Sequence, residues 1–251
     1  MIDPMPAFTL ALINPNTNVE QTTAMASVAR EVLPPGCEVA ELTAARGPRS
    51  IESDADAAFA AAETVTLVHA HPGFGAYLIA CFGDPGLDGA RELTRAPVIG
   101  VGEAALSAAA RVSRNFAVLT TLPRGIPKMH QMVDHHGLRA RCAGVVALDR
   151  TVEQQGAHDE LTTTRMLAAG RDCIDRLAAD ALVLACGGMA DVARALADTL
   201  EVPVCEGVSL GALSAWSLWR CGVETSSHGS YAPPEPIAYT GMGPLSREVA
   251  G

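Results

Sequence analysis

The feature that most constrains the fold is an internal repeat of two apolar stretches, each ending in cysteine and then turning on glycine. The first is residues 78–83 (LIACFG), and the second, 105 residues later, is residues 183–188 (VLACGG). Each is followed by a short helix-compatible stretch and a further apolar run, which begins at Pro97 in the first case and at Pro203, 106 residues later, in the second. Because both copies keep this layout, the sequence predicts two duplicated halves.

The order of segments along the chain predicts the fold class. Short runs rich in Val, Leu, Ile and Ala alternate with longer helix-compatible segments, which is typical of βαβ units around a buried parallel sheet. The predicted strands, four in each half, are residues 8–13, 37–42, 76–80, 97–101, 116–121, 143–147, 181–185 and 202–205. Residues 64–68 have the composition of a strand, but the repeat aligns residues 54–71 with the helix-like residues 159–176, so we predict a helix there.

We therefore predict an α/β protein of two pseudo-symmetric flavodoxin-like lobes. Each lobe has a parallel sheet of roughly four strands flanked by helices, and the active site lies in the cleft between the lobes. Residues 1–113 are predicted to form the first lobe and residues 114–251 the second. The C-terminal tail is expected to pack back on the first lobe.

Composition and charge exclude several classes of function. The 251-residue chain has 28 acidic and 18 basic residues and a net charge of −10, which argues against sequence-independent binding of nucleic acid or of an anionic membrane. Lys128 is the only lysine and lies at a predicted helix start, so chemistry that needs a covalent lysine handle is not expected. Neither a signal peptide nor an apolar run of membrane-spanning length is found, and we expect a cytoplasmic protein.

Metal and cofactor motifs are weak. Seven cysteines occur without a Cys-x-x-Cys pair, and we interpret them as thiols, neither a disulfide framework nor a zinc site. The histidine pairs at 69/71 and 135/136 have no third ligand at a suitable spacing, so no metal is expected. Residues 100–105 (GVGEAA) fit a dinucleotide-binding pattern, but no acidic residue follows about twenty residues on, so no nucleotide cofactor is expected.

Cys81 and Cys186 differ from the other cysteines because each ends a strand in a matched context. Ligands of parallel sheets bind outside the carboxyl ends of the strands, and two facing lobes bring these thiols to opposite sides of one ligand. That arrangement indicates a stereochemical reaction, while the alternative is two small buried apolar side chains. Gly83 or Asp84 can cap a helix that Pro85 begins, and we expect helix N-termini near both sulfurs to lower the thiol pKa values.

Six segments together resemble the hydantoin racemase branch of the aspartate/glutamate racemase superfamily. They are residues 13–18 (INPNTN), 47–52 (GPRSIE), 79–87 (IACFGDPGL), 141–145 (RCAGV), 185–191 (ACGGMAD) and 229–234 (GSYAPP). Each motif alone is weak, but their order and spacing are specific and extend over nearly the whole chain. The resemblance implies a two-lobed α/β racemase that uses no cofactor.

The resemblance also implies a role for each matched residue. Cys81 and Cys186 would be the acid–base pair that inverts C5 of a 5-substituted hydantoin or of allantoin, one as thiolate and the other as thiol. Asn14 and the Thr120-Thr121 pair would hold the polar edge of the ring, although Asn14 and Thr120 also lie at equivalent strand ends, where capping is the alternative role. Backbone N–H groups beside the cysteines would stabilise the enolate, and these belong to Phe82, Gly83 and Gly187.

Several alternative functions stay open at this point. The same superfamily includes amino-acid racemases, arylmalonate-type decarboxylases and maleate-type isomerases, and such a decarboxylase needs only one thiol where a racemase needs two. No basic cluster is expected beside the cysteines, which favours a neutral ring over a dicarboxylic amino acid. A non-catalytic two-lobed ligand-binding protein is the alternative outside enzymes. The expected partners are a small-molecule substrate and further copies of the chain, since the apolar residues 210–218 fit a homo-oligomer as well as a core.

Overall fold

The computed structural model of the protein describes residues 7–156 and 160–235. The strands in these ranges are β1 (Thr9–Asn14), β2 (Glu38–Thr43), β3 (Ala76–Ile79), β4 (Val98–Gly100), β5 (Phe116–Thr120), β6 (Cys142–Ala147), β7 (Ala181–Leu184) and β8 (Val204–Glu206). The α-helices are α1 (Val19–Val32), α2 (Asp54–Ala70), α3 (Leu87–Arg91), α4 (Val101–Val112), α5 (Ile126–His135), α6 (Val152–Gly156), α7 (Glu160–Leu177), α8 (Ala193–Leu200) and α9 (Gly207–Arg220).

The strands form two parallel sheets with the same order. The first sheet is β2-β1-β3-β4 and the second is β6-β5-β7-β8, and every pairing is parallel. This arrangement confirms the predicted α/β fold of two duplicated halves. All eight predicted strands are present with ends that differ by at most two residues. Residues 64–68 lie inside α2, which confirms the helix that the repeat predicted.

The interior strands β3 and β7 are buried along their whole length, as strands covered on two faces must be. Every residue of β3 and β7 is at most 1% exposed. Each of these strands has a neighbour on both sides, β1 and β4 around β3 and β5 and β8 around β7. Cys81 and Cys186 each follow two residues after such a strand, so their main-chain positions are fixed by the sheets.

The last helix of each half packs on the sheet of the other half. In α4, Leu106 and Ala109 are buried in the cluster that contains Phe116 and Val183 of the second sheet. Helix α9 makes the reciprocal contact, since its buried residues, of which Ala212 is one, lie in the cluster of the first sheet. Each half therefore contributes a helix to the core of the other, and the boundary between residues 113 and 114 stays a prediction.

After α9 the chain runs along the first half. The Trp219 ring lies 4.9 Å from the Phe8 ring between centroids. Further on, the Thr225 N–H donates to the Arg95 carbonyl at 2.8 Å. The Tyr231 hydroxyl donates to the Asp88 carboxylate at 2.8 Å. In the parts of the chain that the structure describes, none of the helices has the length and apolar character needed to cross a membrane.

One local expectation is wrong, and it concerns the segment after Cys81. Helix α3 begins at Leu87 and not at Pro85, because Gly86 precedes it with φ of +78°. Only glycine fits there, since a Cβ on Gly86 would lie 2.6 Å from the Ala61 carbonyl oxygen. The Asp84 side chain does not cap this helix either; its carboxylate accepts hydrogen bonds from the first turn of α4.

Candidate active site

A cavity of about 290 Å³ opens at the carboxyl ends of both sheets. Residues from the two halves line it together, as expected for a ligand site at the ends of parallel strands. Seven of the eight predicted site residues are among them, namely Cys81, Phe82, Gly83, Thr120, Thr121, Cys186 and Gly187. The eighth, Asn14, is fully buried behind the cavity wall.

The two cysteines occupy equivalent turns. The Asp84 N–H donates to the Cys81 carbonyl at 2.9 Å, and the Met189 N–H donates to the Cys186 carbonyl at 3.1 Å. A different main-chain N–H acts on each sulfur and lowers the pKa of the thiol: that of Gly83 acts on Cys81, and that of Gly188 acts on Cys186. The repeat predicted from sequence therefore extends to the hydrogen bonds around the thiols.

The two turns approach each other across the cleft. A Cβ on Gly187 would lie 3.6 Å from the carbonyl oxygen of Ala80, the residue before Cys81, and 2.5 Å from the Met25 sulfur. Glycine is therefore needed next to Cys186, because a side chain there would collide with the first half. Ionised Cys81 also raises the pKa of Cys186, as a like charge facing it does.

Burial, and not a helix N-terminus, dominates the acidity of both thiols, so the expectation of lowered pKa values is wrong. Loss of contact with water raises the pKa of Cys81 from 9.0 to about 11, and the Gly83 N–H offsets only part of this rise. The same loss raises the pKa of Cys186 from 9.0 to about 12. Helix α3 begins six residues after Cys81, and Cys186 is followed only by the 3-10 helix Gly187–Val192. Neither sulfur therefore receives the full effect of an α-helix dipole.

The surroundings of the two sulfurs differ in charge. Asp84 raises the pKa of Cys81 and Lys128, from α5 of the second half, lowers it, while Glu52, from the first half, raises that of Cys186. Lys128 borders Gly83, since a Cβ on this glycine would lie 3.7 Å from the ammonium nitrogen. The same ammonium lies 3.7 Å from the Asp54 carboxylate, which joins the two halves across the cavity.

Sequence reasoning missed these charged residues. No basic cluster was expected beside the cysteines, yet Lys128 and Arg124 line the cavity together with the acidic residues Glu52 and Asp54. The expectation that no basic cluster accompanies the cysteines is therefore wrong. A signal was available, because Arg124 and Lys128 follow the carboxyl end of β5, the edge at which ligands of parallel sheets bind.

Thr120 and Asn14 occupy equivalent strand ends but have different contacts. Thr120 is 3% exposed, lines the cavity, and its hydroxyl makes no hydrogen bond to another residue in the described ranges. The Asn14 amide nitrogen donates to the Asn16 side chain at 2.9 Å and to the Thr22 hydroxyl at 3.0 Å. Asn14 thus holds the loop that brings Asn16 to the cavity wall. Its predicted contact with substrate stays a prediction, and Asn16 is the side chain that sequence reasoning missed there.

Contacts between the two halves close one side of the cavity. The Glu52 carboxylate accepts from the Val152 N–H at 3.0 Å. Next to it, Arg49 and Glu153 form an ion pair at 2.8 Å. In the ranges that the structure describes, no group of three or more His, Cys, Asp or Glu side chains is arranged to hold a metal ion.

Comparison with known proteins gives consistent matches over most of the chain. The family model described as Asp/Glu/hydantoin racemase matches residues 10–215. A hydantoin racemase from Paenarthrobacter aurescens is 34% identical over 233 residues, which cover 92% of this chain and 99% of that protein. A hydantoin racemase from Rhizobium meliloti is 35% identical over 237 residues, covering 92% and 96%. The structure of an allantoin racemase from Klebsiella pneumoniae has a TM-score of 0.92 at 35% identity, covering 95% of this chain and 99% of that one.

Proposed function

Because the chain belongs to the Asp/Glu/hydantoin racemase family, we propose that it inverts the C5 stereocentre of 5-substituted hydantoins or of allantoin without a cofactor. The observation that carries this proposal is the pair of equivalent cysteines, one from each half, in a single cavity. The names of the relatives, hydantoin racemase and allantoin racemase, support the substrate class. A cavity of about 290 Å³ favours a small ring with a short substituent.

In the proposed reaction the cysteines transfer protons on opposite faces of the ring. One cysteine, as the thiolate, removes the proton from C5, and the electron pair of the C–H bond moves into the C4 carbonyl to give an enolate. The other cysteine, as the thiol, delivers its proton to the opposite face of C5 and becomes the thiolate. The product has the inverted configuration, and the reverse reaction exchanges the two roles.

In this proposal Cys81 is the thiol that more readily supplies the thiolate. Burial raises its pKa to about 11 and that of Cys186 to about 12; Asp84 raises and Lys128 lowers the pKa of Cys81, while Glu52 and ionised Cys81 raise that of Cys186. Both values lie well above neutrality, so only a small fraction of the enzyme carries the reactive thiolate at pH 7. The enantiomer whose C5 proton faces Cys81 is therefore the one that the Cys81 thiolate deprotonates.

The remaining lining residues have binding roles in the proposal. The free Thr120 hydroxyl, with Thr121 beside it, is suited to the polar edge of the ring. The N–H groups of Phe82 and Gly187, beside the two cysteines, are suited to the developing enolate oxygen. The Gly83 N–H is directed at the Cys81 sulfur and stabilises the thiolate first.

The test is proton NMR in D₂O with each enantiomer of a 5-substituted hydantoin and of allantoin. We expect the wild type to exchange the C5 proton and to racemise both enantiomers. Cys81→Ser and Cys186→Ser should each lower the rate of racemisation by about a thousandfold or more, because a serine hydroxyl is a far weaker acid than a thiol. Residual exchange in each variant should be confined to one enantiomer, and a different one in the two variants.

Cys221→Ser is the matched control, because Cys221 is exposed and lies outside the cavity lining. This variant should keep wild-type rates. Full racemisation by either Cys81→Ser or Cys186→Ser would refute the two-cysteine mechanism. Failure of the wild type on every hydantoin and on allantoin would refute the substrate class.

A second candidate function is racemisation of an acidic amino acid. Lys128 and Arg124 in the cavity lining favour it, since they could bind the carboxylates of aspartate or glutamate. The same NMR experiment with D- and L-forms of both amino acids separates the two functions. Exchange at Cα of these substrates, without exchange at C5 of the rings, would assign the second function.

A cytoplasmic location and a homo-oligomer are further parts of the proposal. All seven cysteines are free, which is usual in a reducing compartment and supports a cytoplasmic location. Phe59 is 66% exposed and Val19 is 59% exposed, and such apolar side chains favour burial against another copy of the chain. Light scattering at two protein concentrations tests the oligomer, and a monomer at both would refute it.

A further inference from the structure

The two halves cap the N-termini of equivalent helices in different ways. In the second half the cap is the side chain of the N-cap residue itself. Helix α9 follows β8, and its N-cap residue is Glu206. The Glu206 carboxylate accepts from the Val208 N–H at 2.7 Å and from the Ser209 N–H at 2.9 Å. A carboxylate thus satisfies the free N–H groups of the first turn, and it comes from the residue at the cap position itself.

In the first half the cap comes from the cysteine turn. Helix α4 follows β4, and its N-cap residue is Gly100, which has no side chain to offer. The N–H groups of Gly102 and Glu103 are the counterparts of those of Val208 and Ser209, and they donate to the Asp84 carboxylate at 2.9 and 2.8 Å. A Cβ on Gly100 would overlap this carboxyl group, so Asp84 fills the space that a side chain at residue 100 would need.

Asp84 also closes the turn that carries Cys81. Its N–H donates to the Cys81 carbonyl at 2.9 Å, and its backbone is held at φ of +43°, which is unusual for a residue other than glycine. The counterpart in the second half is Met189, which makes the same turn-closing bond but is an apolar side chain with no exposed surface. The first half therefore links its cysteine turn to a helix by a carboxylate at the position where the second half has Met189.

We propose that Asp84 is a positioning residue for Cys81: its carboxylate ties the Cys81 turn to the first turn of α4 and thereby fixes the sulfur against the substrate. The inference rests on the proposed function for its kinetic consequence. Its structural basis is independent of the substrate. It is the difference between the halves at two equivalent positions: Asp84 corresponds to Met189, and Gly100 corresponds to Glu206. Asp84 does not act on the substrate itself.

Moving the carboxylate separates this role from simple helix capping. In Asp84→Ala both the cap and the tie to the cysteine turn are lost. In the double variant Asp84→Ala/Gly100→Glu the carboxylate returns at residue 100, in the arrangement of Glu206. The three atoms nearest to a Cβ on Gly100 all belong to Asp84, so Asp84→Ala removes the contacts that a Cβ at residue 100 would make first.

We expect Asp84→Ala to lower both the melting temperature and kcat. The double variant should recover most of the melting temperature, while kcat stays at least tenfold below wild type with KM changed less than threefold. Alkylation of Cys81 by iodoacetamide, followed by peptide mass spectrometry at pH 8, should become at least threefold faster in both variants, because an untied turn exposes the sulfur. The double variant decides, because Asp84→Ala alone also removes a charge that raises the pKa of Cys81, whereas the double variant returns a carboxylate at residue 100. Alkylation of Cys186 should stay within twofold of wild type.

Glu206→Ala is the matched control, because it removes the equivalent cap without touching a cysteine turn. It should lower the melting temperature about as much as Asp84→Ala but leave alkylation of both active-site cysteines unchanged. If Asp84→Ala does not fold, Asp84→Asn, which keeps one acceptor oxygen, takes its place in the same measurements.

Two results would overturn the proposal. The first is recovery of both melting temperature and kcat by the double variant, which would make Asp84 a helix cap only. The second is an unchanged alkylation rate of Cys81 in the double variant. If wild type racemises none of the substrates, the proposed function fails, but the alkylation rates still decide whether Asp84 holds the Cys81 turn.

Discussion

The two halves of the molecule share a sheet order and a cysteine turn, yet the charges around their sulfurs differ. Asp84 raises the pKa of Cys81 and Lys128 lowers it, whereas Glu52 raises the pKa of Cys186. The shared topology brings both thiols to one cavity, as the proposed inversion of a stereocentre requires. Lys128 and Glu52 both favour ionisation of Cys81 before Cys186, and so a base on the Cys81 side of the substrate.

Each of these two charges comes from the half opposite to the thiol on which it acts. Lys128 belongs to α5 of the second half and acts on Cys81 of the first, whereas Glu52 precedes α2 of the first half and acts on Cys186 of the second. The thiol chemistry is therefore a property of the assembled cleft and of neither half alone. The exchange of α4 and α9 between the halves stabilises that assembly.

Among the effects expected with both cysteines in place, the largest is the dependence of activity on pH. Burial raises the pKa of Cys81 to about 11 and that of Cys186 to about 12, so the fraction of thiolate grows with every step in alkalinity below these values. We expect kcat/KM for C5-proton exchange to rise about tenfold per pH unit, or about a hundredfold from pH 7 to pH 9. A maximum near neutral pH would contradict the pKa directions and would indicate an activated thiolate.

Stability sets the upper limit of that measurement. Burial also raises the pKa of Cys173 and of Cys205 from 9.0 to about 11, so the folded state holds these protons more tightly than the unfolded state. Their contribution to stability is fully present below pH 9 and is lost as the pH rises towards 11. Circular dichroism at each pH tests whether the enzyme is folded. Only rates measured at a pH where the spectrum is unchanged are included in the plot of kcat/KM against pH.

The second prediction removes the positive charge beside Cys81. Lys128→Met should raise the pKa of Cys81, because the ammonium no longer stabilises the thiolate. Since Lys128 is partly exposed and solvent screens its charge, we expect a moderate loss of kcat/KM, about three- to tenfold at pH 8. Lys128→Arg keeps the charge and should retain most of the activity.

Alkylation rates give Lys128→Met a residue-specific measurement. Cys81 should react more slowly with iodoacetamide at pH 8, and Cys186 should be nearly unaffected. An equal decrease at both cysteines would mean that Lys128 acts on the cleft as a whole, which would remove the asymmetry between the two sides.

Most of the fold follows from the sequence, because a buried parallel strand has a simple signature. The apolar runs before Cys81 and Cys186 could be recognised without the structure, and the repeat correctly assigned residues 64–68 to a helix although their composition favours a strand. Comparing two copies supplied the information that one copy lacked. The proposed catalytic pair, Cys81 and Cys186, was found in the same way.

The details of the site could not be predicted, because they depend on contacts between distant parts of the chain. Local capping rules assigned Asp84 to the helix that follows it, whereas the first turn of α4, eighteen residues away, takes its carboxylate. The rise in the thiol pKa values comes from burial in the folded protein, which no local pattern reports. Asn16 replaces Asn14 at the cavity wall because the buried Asn14 holds the loop from behind.

The smallest expected effect comes from neutralising the negative charge beside Cys186. In Glu52→Gln the side chain keeps an oxygen that can accept from the Val152 N–H, so the closed side of the cavity is preserved. The pKa of Cys186 should fall, and its alkylation at pH 9 should become about twofold faster, while the rate at Cys81 stays constant. Glu153→Gln weakens the neighbouring inter-half contact, the ion pair between Glu153 and Arg49. Glu153 is not among the charges that shift the pKa of either thiol, so this variant is the control for loosening of the loops. If Glu153→Gln speeds the alkylation of Cys186 as much as Glu52→Gln does, the cause is easier access of the reagent and not the lost charge. The electrostatic difference that separates the two sides of the cavity then rests on Lys128.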